Sequence, residues 1–153
     1  MSLVGAIKKL EAIKTFDALS EVADILNEND EYIVGLLRLQ LQEGKDANNE
    51  NVTVFGRDYY SYETLAKKER ISGLGGFTGW ITNYETGYFY RSLQAYATKT
   101  GFEIDSSVPY FEDIITRSGQ VIMQLNQEHL EDLLHEIVEP ELGKRFNLYI
   151  NGL

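Results

Sequence analysis

Thr86-Gly87-Tyr88-Phe89-Tyr90-Arg91-Ser92-Leu93, followed by Ile104-Asp105-Ser106-Ser107-Val108-Pro109-Tyr110, is the stretch that decides the fold. Gly87 permits a sharp turn because it has no Cβ to clash at positive φ. Thr86 is placed to cap the helical turn that follows. Leu93 to Thr98 and Phe102 to Ser106 are strand-like, with Lys99-Thr100-Gly101 between them. Gly101 suits the left-handed position that closes a short hairpin. On the second strand Phe102 and Ile104 alternate with Glu103 and Asp105, so one face is apolar and the other polar. Pro109 fixes φ and fits the first turn of a helix from about Tyr110 to Arg117, which Gly119 ends.

On the N-terminal side the chain reads as helical. Leu3, Ile7, Leu10, Ile13 and Phe16 recur at helix spacing. Ser20 is a candidate cap for a segment bearing Val22, Ala23, Ile25 and Leu26. Asn29 or Asp30 is one for the next, which carries Ile33, Val34, Leu36, Leu37, Leu39 and Leu41. Gly44 is a natural stop. Residues 44 to 58 read as a loop, because Asp46, Asn48, Asn49 and Asn51 favour turns. Ser61 looks like an N-cap, with Glu63 early and Lys67, Lys68 and Arg70 late in the helix it opens, as the helix dipole prefers. Gly73 would end that helix.

Gly73-Leu74-Gly75-Gly76-Phe77-Thr78-Gly79 reads as a mobile loop. A phosphate-binding loop needs a strand before it and a helix after it. Here a charged helix precedes it, and Trp80-Ile81-Thr82 suggests a strand behind it. Asn126 is a candidate cap for a last helix with Leu130, Leu133, Leu134, Ile137 and Val138 on one stripe. Glu128, Glu131, Asp132 and Glu136 face away. Pro140 should kink or end that helix. The tail Phe146-Asn147-Leu148-Tyr149-Ile150 alternates by two, like a strand. The expected class is therefore α+β: N-terminal helices, a small antiparallel β-sheet with a hairpin, and a C-terminal helix. The expected organisation is a single domain over 1–153, helical over 1–43 and α+β over 44–153.

Composition narrows the function. Twenty-four acidic residues oppose fourteen basic ones, for a net charge of -10. That argues against a general nucleic-acid binder, which carries clustered Lys and Arg to displace counterions. It suits solubility, or a surface that DNA slides past without being held. The absence of cysteine excludes disulfides, thiolate metal sites and thiol nucleophiles. No stretch is long and apolar enough for a signal peptide or a membrane span.

Motifs for chemistry are sparse. His129 and His135 are six residues apart on one helix and point to different faces, so no shared metal is expected. Glu131 and Glu139 stand four residues either side of His135, as in ordinary surface pairing. There is no Gly-x-Ser-x-Gly elbow. Asp46-Ala47-Asn48-Asn49-Glu50-Asn51 has oxygen ligands but neither the central Gly nor the closing Glu of a calcium loop, so turn chemistry accounts for it. Tyr59, Tyr60, Tyr62, Trp80, Tyr84, Tyr88, Phe89 and Tyr90 make the middle of the chain aromatic. They lack interleaved Arg and Lys, so core packing and subunit contact are expected rather than base stacking. Neither a catalytic site nor a cofactor is expected.

The order of these motifs resembles phage tail-completion and virion-morphogenesis proteins, in which a Thr-Gly-x-Leu-x-x-Ser turn starts a small antiparallel sheet after a helical N-terminal part. Thr86 and Gly87 match, Phe89 or Tyr88 replaces the aliphatic residue, Arg91 matches a common basic position, and Ser92 matches. Pro109-Tyr110 matches the segment after the hairpin, with Phe111 in place of alanine. Gln40-Leu41-Gln42-Glu43-Gly44-Lys45-Asp46 resembles a segment of virion proteins from Bacteroides-infecting phages, crAss-like ones included. The resemblance covers roughly residues 36 to 139. It implies a structural protein forming a homo-oligomeric ring, twelvefold or sixfold, in the head-tail connector, neck or tail. Its neighbours would be portal, connector or tail proteins, and DNA would pass without specific binding. The implied location is the virion, and the host cytoplasm during assembly. The alternative is a cytoplasmic assembly chaperone or binding module that stays out of the particle. Thr86, Gly87, Phe89, Arg91, Ser92, Pro109 and Tyr110 are the expected turn and subunit-interface residues.

Overall fold

Three helices lead the chain: α1 (Leu3–Thr15), α2 (Ala18–Glu28) and α3 (Asp30–Gln42). The computed structural model describes residues 3–72, 79–83 and 86–152. The glycine-rich segment 73–78, Tyr84 and the side chain of Arg70 lie outside the described residues. Asp17, not Ser20, caps α2: its Oδ1 accepts the Ser20 N–H at 3.1 Å, and its other oxygen meets Lys99 of the hairpin. Asn29 is the residue before α3, but its amide donates backward to the Ile25 carbonyl. The stop at Gly44 is as expected. At φ +71° it lets its own N–H reach Leu41 O and the Lys45 N–H reach Gln40 O, which satisfies the last carbonyls of α3.

A loop with single-residue bridges joins α3 to α4 (Tyr62–Ser72), whose N-cap is Ser61, accepting from the Thr64 N–H. Within it, Asp46 is buried and its Oδ1 accepts from the Asn48 and Glu50 amides at 2.8 and 3.0 Å, the turn chemistry expected there. Gly87, at φ +80°, turns the chain into the single-turn helix α5 (Tyr88–Arg91). The hairpin follows: β1 (Leu93–Thr98) pairs antiparallel with β2 (Gly101–Ser106), Leu93 opposite Ser106 and Thr98 opposite Gly101. Lys99 and Thr100 form the connection, and Gly101 is the first residue of β2 at φ +149° rather than the left-handed closing residue. Leu93, Ala95 and Ile104 face inward. The Asn27 side chain bonds both the N–H and the C=O of Ala97, covering part of the free edge of β1.

Helix α6 (Phe111–Ser118) begins two residues after Pro109 and ends at Gly119, φ +85°. A 3-10 turn over Gln120–Met123 leads to α7 (Gln127–Leu133), capped by Asn126, which accepts the His129 N–H at 2.9 Å. One buried cluster runs from Ile25 through Ile33, Leu37, Leu41, Phe89, Leu93, Ile104 and Ile122 to Val138. Each such side chain is worth about 1.5–3 kcal/mol when fully buried. Gln40, fully buried among them, donates to Gln124 O at 2.9 Å and accepts from the Asn126 N–H at 2.8 Å, tying α3 to the start of α7.

The C-terminal part departs from two expectations. Pro140 does not end the helical run. Residues Leu134–Val138 form a π-turn, with the Glu139 N–H reaching Leu134 O, and α8 (Glu139–Asn151) continues with Pro140 in its first turn. The wider turn absorbs the missing proline N–H and the crowding of its ring. The tail is helix, not strand. Leu142, Phe146 and Tyr149 recur at helical spacing, and Phe146 and Tyr149 pack on Phe16 at ring distances of 5.1 and 5.4 Å. Arg145 bridges Glu21 and Glu28 at 3.1 and 2.6 Å, fastening α8 to α2.

Trp80-Ile81-Thr82 is also not a strand. Only Trp80 pairs, with Tyr59. The Tyr60 hydroxyl takes the N–H groups of Thr82 and Asn83, and Asn83 turns to φ +53°, which stops the ladder.

Candidate functional site

Between the loop 54–61, α4, α5 and α6 lies a cleft of about 940 Å³. That is within the usual size of a ligand or peptide-side-chain pocket. Ile81, Phe89 and Ile114, all buried, form its apolar floor. Phe55, Tyr59, Tyr88 and Tyr110 line it with rings that remain 42–75% exposed. Arg57, Lys67, Lys68 and Arg117 also line it, and no Asp or Glu does among the described residues. In a chain of net charge -10, that places four cations on one aromatic-lined surface.

Local structure explains each position. Val54 and Arg57 bond each other's backbone at 2.9 and 3.1 Å around Phe55 and Gly56, at φ +51° and +77°. This two-residue turn has both central residues in the left-handed region, which hairpin turns prefer but phenylalanine does not. The chain therefore holds an exposed ring in a conformation better suited to Asn or Gly. The Phe55 N–H donates to Arg117 O, joining the turn to the end of α6. Lys68 is only 5% exposed and its amine lies 4.3 Å from the centre of the Tyr60 ring, a cation–π contact. Arg117 Nε donates to Asp113 O within α6, which holds the guanidinium along its own helix.

The seven expected interface residues divide. Thr86, Gly87, Phe89 and Tyr110 line the cleft; Arg91, Ser92 and Pro109 do not. Thr86 does not cap α5, since no side chain accepts there. Phe89 is core, 3% exposed, stacked at 6.4 Å on Phe111. The Arg91 guanidinium lies over the Tyr88 ring at 4.7 Å and donates to Thr86 O, so it braces its own turn. Ser92 Oγ donates to Phe89 O and is 2.6 Å from Ser106 Oγ, which locks the turn to the hairpin. Pro109 is exposed in the bend before α6. The sequence reading missed Arg57 and Arg117 and treated Lys67 and Lys68 as dipole partners only. The aromatics and cations alternate in space, not along the chain.

A second charged surface lies elsewhere. From Glu128 to Glu141 the chain carries six carboxylates and no Lys or Arg, and none of these residues lines the cleft. The field is felt locally. The hydrogen bond from the Tyr32 hydroxyl to Glu136, at 2.6 Å, pushes the Tyr32 phenol up to about 12. The Glu139 carboxylate, 3.0 Å from His135 Nδ1, holds the imidazole pKa above its ordinary value. Among the described residues no group of three or more His, Asp or Glu comes together as a metal site.

A third surface is apolar. In α1, Ala12 is buried and Phe16 beyond it packs on α8. Val4, Ile7, Leu10 and Ile13 stay 46–64% exposed, and Leu148 of α8 is 74% exposed. The helical reading of α1 is right, but Ile7, Leu10 and Ile13 do not enter the core. No helix among the described residues is long and apolar enough to cross a membrane. Comparison with protein-family models, curated proteins and solved structures returns no match.

Proposed function

We propose that this chain is a structural protein of a phage particle, one subunit of a ring in the head-tail connector, neck or tail. The observation that carries the reading is the apolar face of α1. Val4, Ile7, Leu10 and Ile13 point away from a core that is complete without them. Such a stripe is the usual mark of a surface made to be covered by another protein. The resemblance of the Thr86–Ser92 turn, the hairpin and Pro109-Tyr110 to tail-completion proteins supplies the setting. The ring is twelvefold or sixfold, in contact with portal, connector or tail proteins. The acidic exterior lets DNA pass without holding it.

Quantitative peptide mass spectrometry on purified particles of the source phage tests this. A copy number that is a small multiple of six is the expected result. Absence from particles overturns the structural role and moves the protein to the assembly factors.

A further inference from the structure

We infer that the cleft is the socket for the acidic segment 128–141 of a second copy, so that subunits join head to tail. The inference rests on the assembly reading above and names the two faces that meet. One chain carries both halves of a complementary pair. The cleft presents Arg57, Lys67 and Arg117 among exposed tyrosines, with no carboxylate among its described lining. The segment presents Glu128, Glu131 and Asp132 on the first turns of α7, with no Lys or Arg as far as Glu141.

Because the two patches are different surfaces, the contact is heterologous. Such contacts close into rings when the rotation between subunits allows it. The rim chemistry fits a protein partner. Tyrosine and arginine are enriched where proteins meet, and arginine and lysine form strong charge-assisted bonds to carboxylates. A helix laid in a groove is a common form of such recognition. Phe55 adds to the case. A bulky ring kept exposed at φ +51° costs the free subunit stability, and burial against a partner is what would use it. Single-stranded nucleic acid fits less well. It calls for a basic groove that tracks many phosphates. Here four cations line one cleft, in a chain of net charge -10.

The test uses the full chain. Labelled and unlabelled protein are mixed at the highest soluble concentration and treated with a carbodiimide, which joins a lysine only to a carboxylate in direct contact. Expected are mixed-isotope links from Lys67 to Glu128, Glu131 or Asp132. Two charge-reversed proteins follow: Arg57→Glu with Lys67→Glu, and Glu128→Lys with Glu131→Lys. All four side chains are exposed, and melting curves check that both proteins fold. Each alone should lose at least about tenfold in self-association by sedimentation, since like charges now face each other. Mixing the two should restore it, because each reversed face then meets its complement. A wild type with no such link, a variant that associates like wild type, or a mixture that stays apart overturns the inference. So does a fluorescent oligonucleotide held by the wild type and released by the cleft variant while self-association is unchanged. The result in solution is independent of whether particles contain the protein, so a failed contact and a failed virion role are told apart.

Discussion

Replacing Gln40 by methionine should cost this small protein a large part of its stability, although the two side chains are close in volume. Gln40 has no exposed surface. Its amide makes two bonds, to Gln124 O at 2.9 Å and from the Asn126 N–H at 2.8 Å. Methionine makes neither, and leaves the buried Asn126 N–H and the part-buried Gln124 carbonyl without these bonds. Each costs about 1–3 kcal/mol. Burying a thioether in place of an amide gives back about 1 kcal/mol, so the net loss is about 3 kcal/mol. For a chain of this size that lowers the melting temperature by roughly 6–12 °C. The loss should also be local, because Asn126 caps α7 through the His129 amide. Urea unfolding followed by the fluorescence of Trp80 measures the first effect, and hydrogen exchange at the Asn126 and His129 amides measures the second. A loss below about 1 kcal/mol with unchanged exchange would show that the two bonds do not hold α7 in place.

Phe55→Asn should stabilise the free subunit by about 0.5–1 kcal/mol, because asparagine tolerates the left-handed turn, yet weaken self-association. Loss of stability in urea would contradict the first half, and association as strong as that of wild type the second. Gly87→Val places a β-branched side chain at φ +80° and should cost about 2–3 kcal/mol and block particle assembly, read from melting curves and infectious yield; normal particles would show that the turn is dispensable. His135 should titrate above its ordinary 6.5 because Glu139 stabilises the imidazolium. Its contribution is then full below the unfolded pKa and lost as pH rises through the higher folded one. A two-dimensional NMR titration reads this, and Glu139→Gln should return the imidazole towards 6.5; an unmoved pKa in that variant would remove Glu139 as the cause.

Much of the fold was legible because its signals are local. The hairpin alternation, the Gly44 and Gly119 stops, the Gly87 turn, and the Ser61 and Asn126 caps each depend on a few neighbouring residues. What escaped needed longer range. Alternation over Phe146-Asn147-Leu148-Tyr149-Ile150 fits a strand or half a helical face equally well, and only the packing of Phe146 and Tyr149 on Phe16, 130 positions or more earlier in the chain, decides for helix. Pro140 reads as a helix breaker until a π-turn makes room for it. Asp17 rather than Ser20 caps α2, and Lys99 of the distant hairpin also holds its carboxylate. That pairing draws the Asp17 pKa down, first through the Lys99 bond and then through the Ser20 amide.

The candidate site was legible only in pieces, and the reason bears on its use. Net charge is an average over the whole surface, and an average of -10 argues against a protein that wraps nucleic acid. It is silent on polarity within the surface. Tyr59 and Tyr60 come from a loop, Lys67 and Lys68 from α4, Tyr88 from α5, and Tyr110 and Arg117 from either end of α6, so no window of sequence contains the cleft. Glu128, Glu131, Asp132 and Glu136, by contrast, lie close together in sequence and were visible as the polar face of a helix. The cleft gathers four of the chain's fourteen cations with no carboxylate in its described lining, and 128–141 gathers six of its twenty-four carboxylates with no Lys or Arg. Mixed charges would serve solubility as well, whereas two patches of opposite sign would supply the two sides of the head-to-tail contact proposed above. A contact of that kind would be directional, and the repulsive like-to-like approach would disfavour a symmetric dimer.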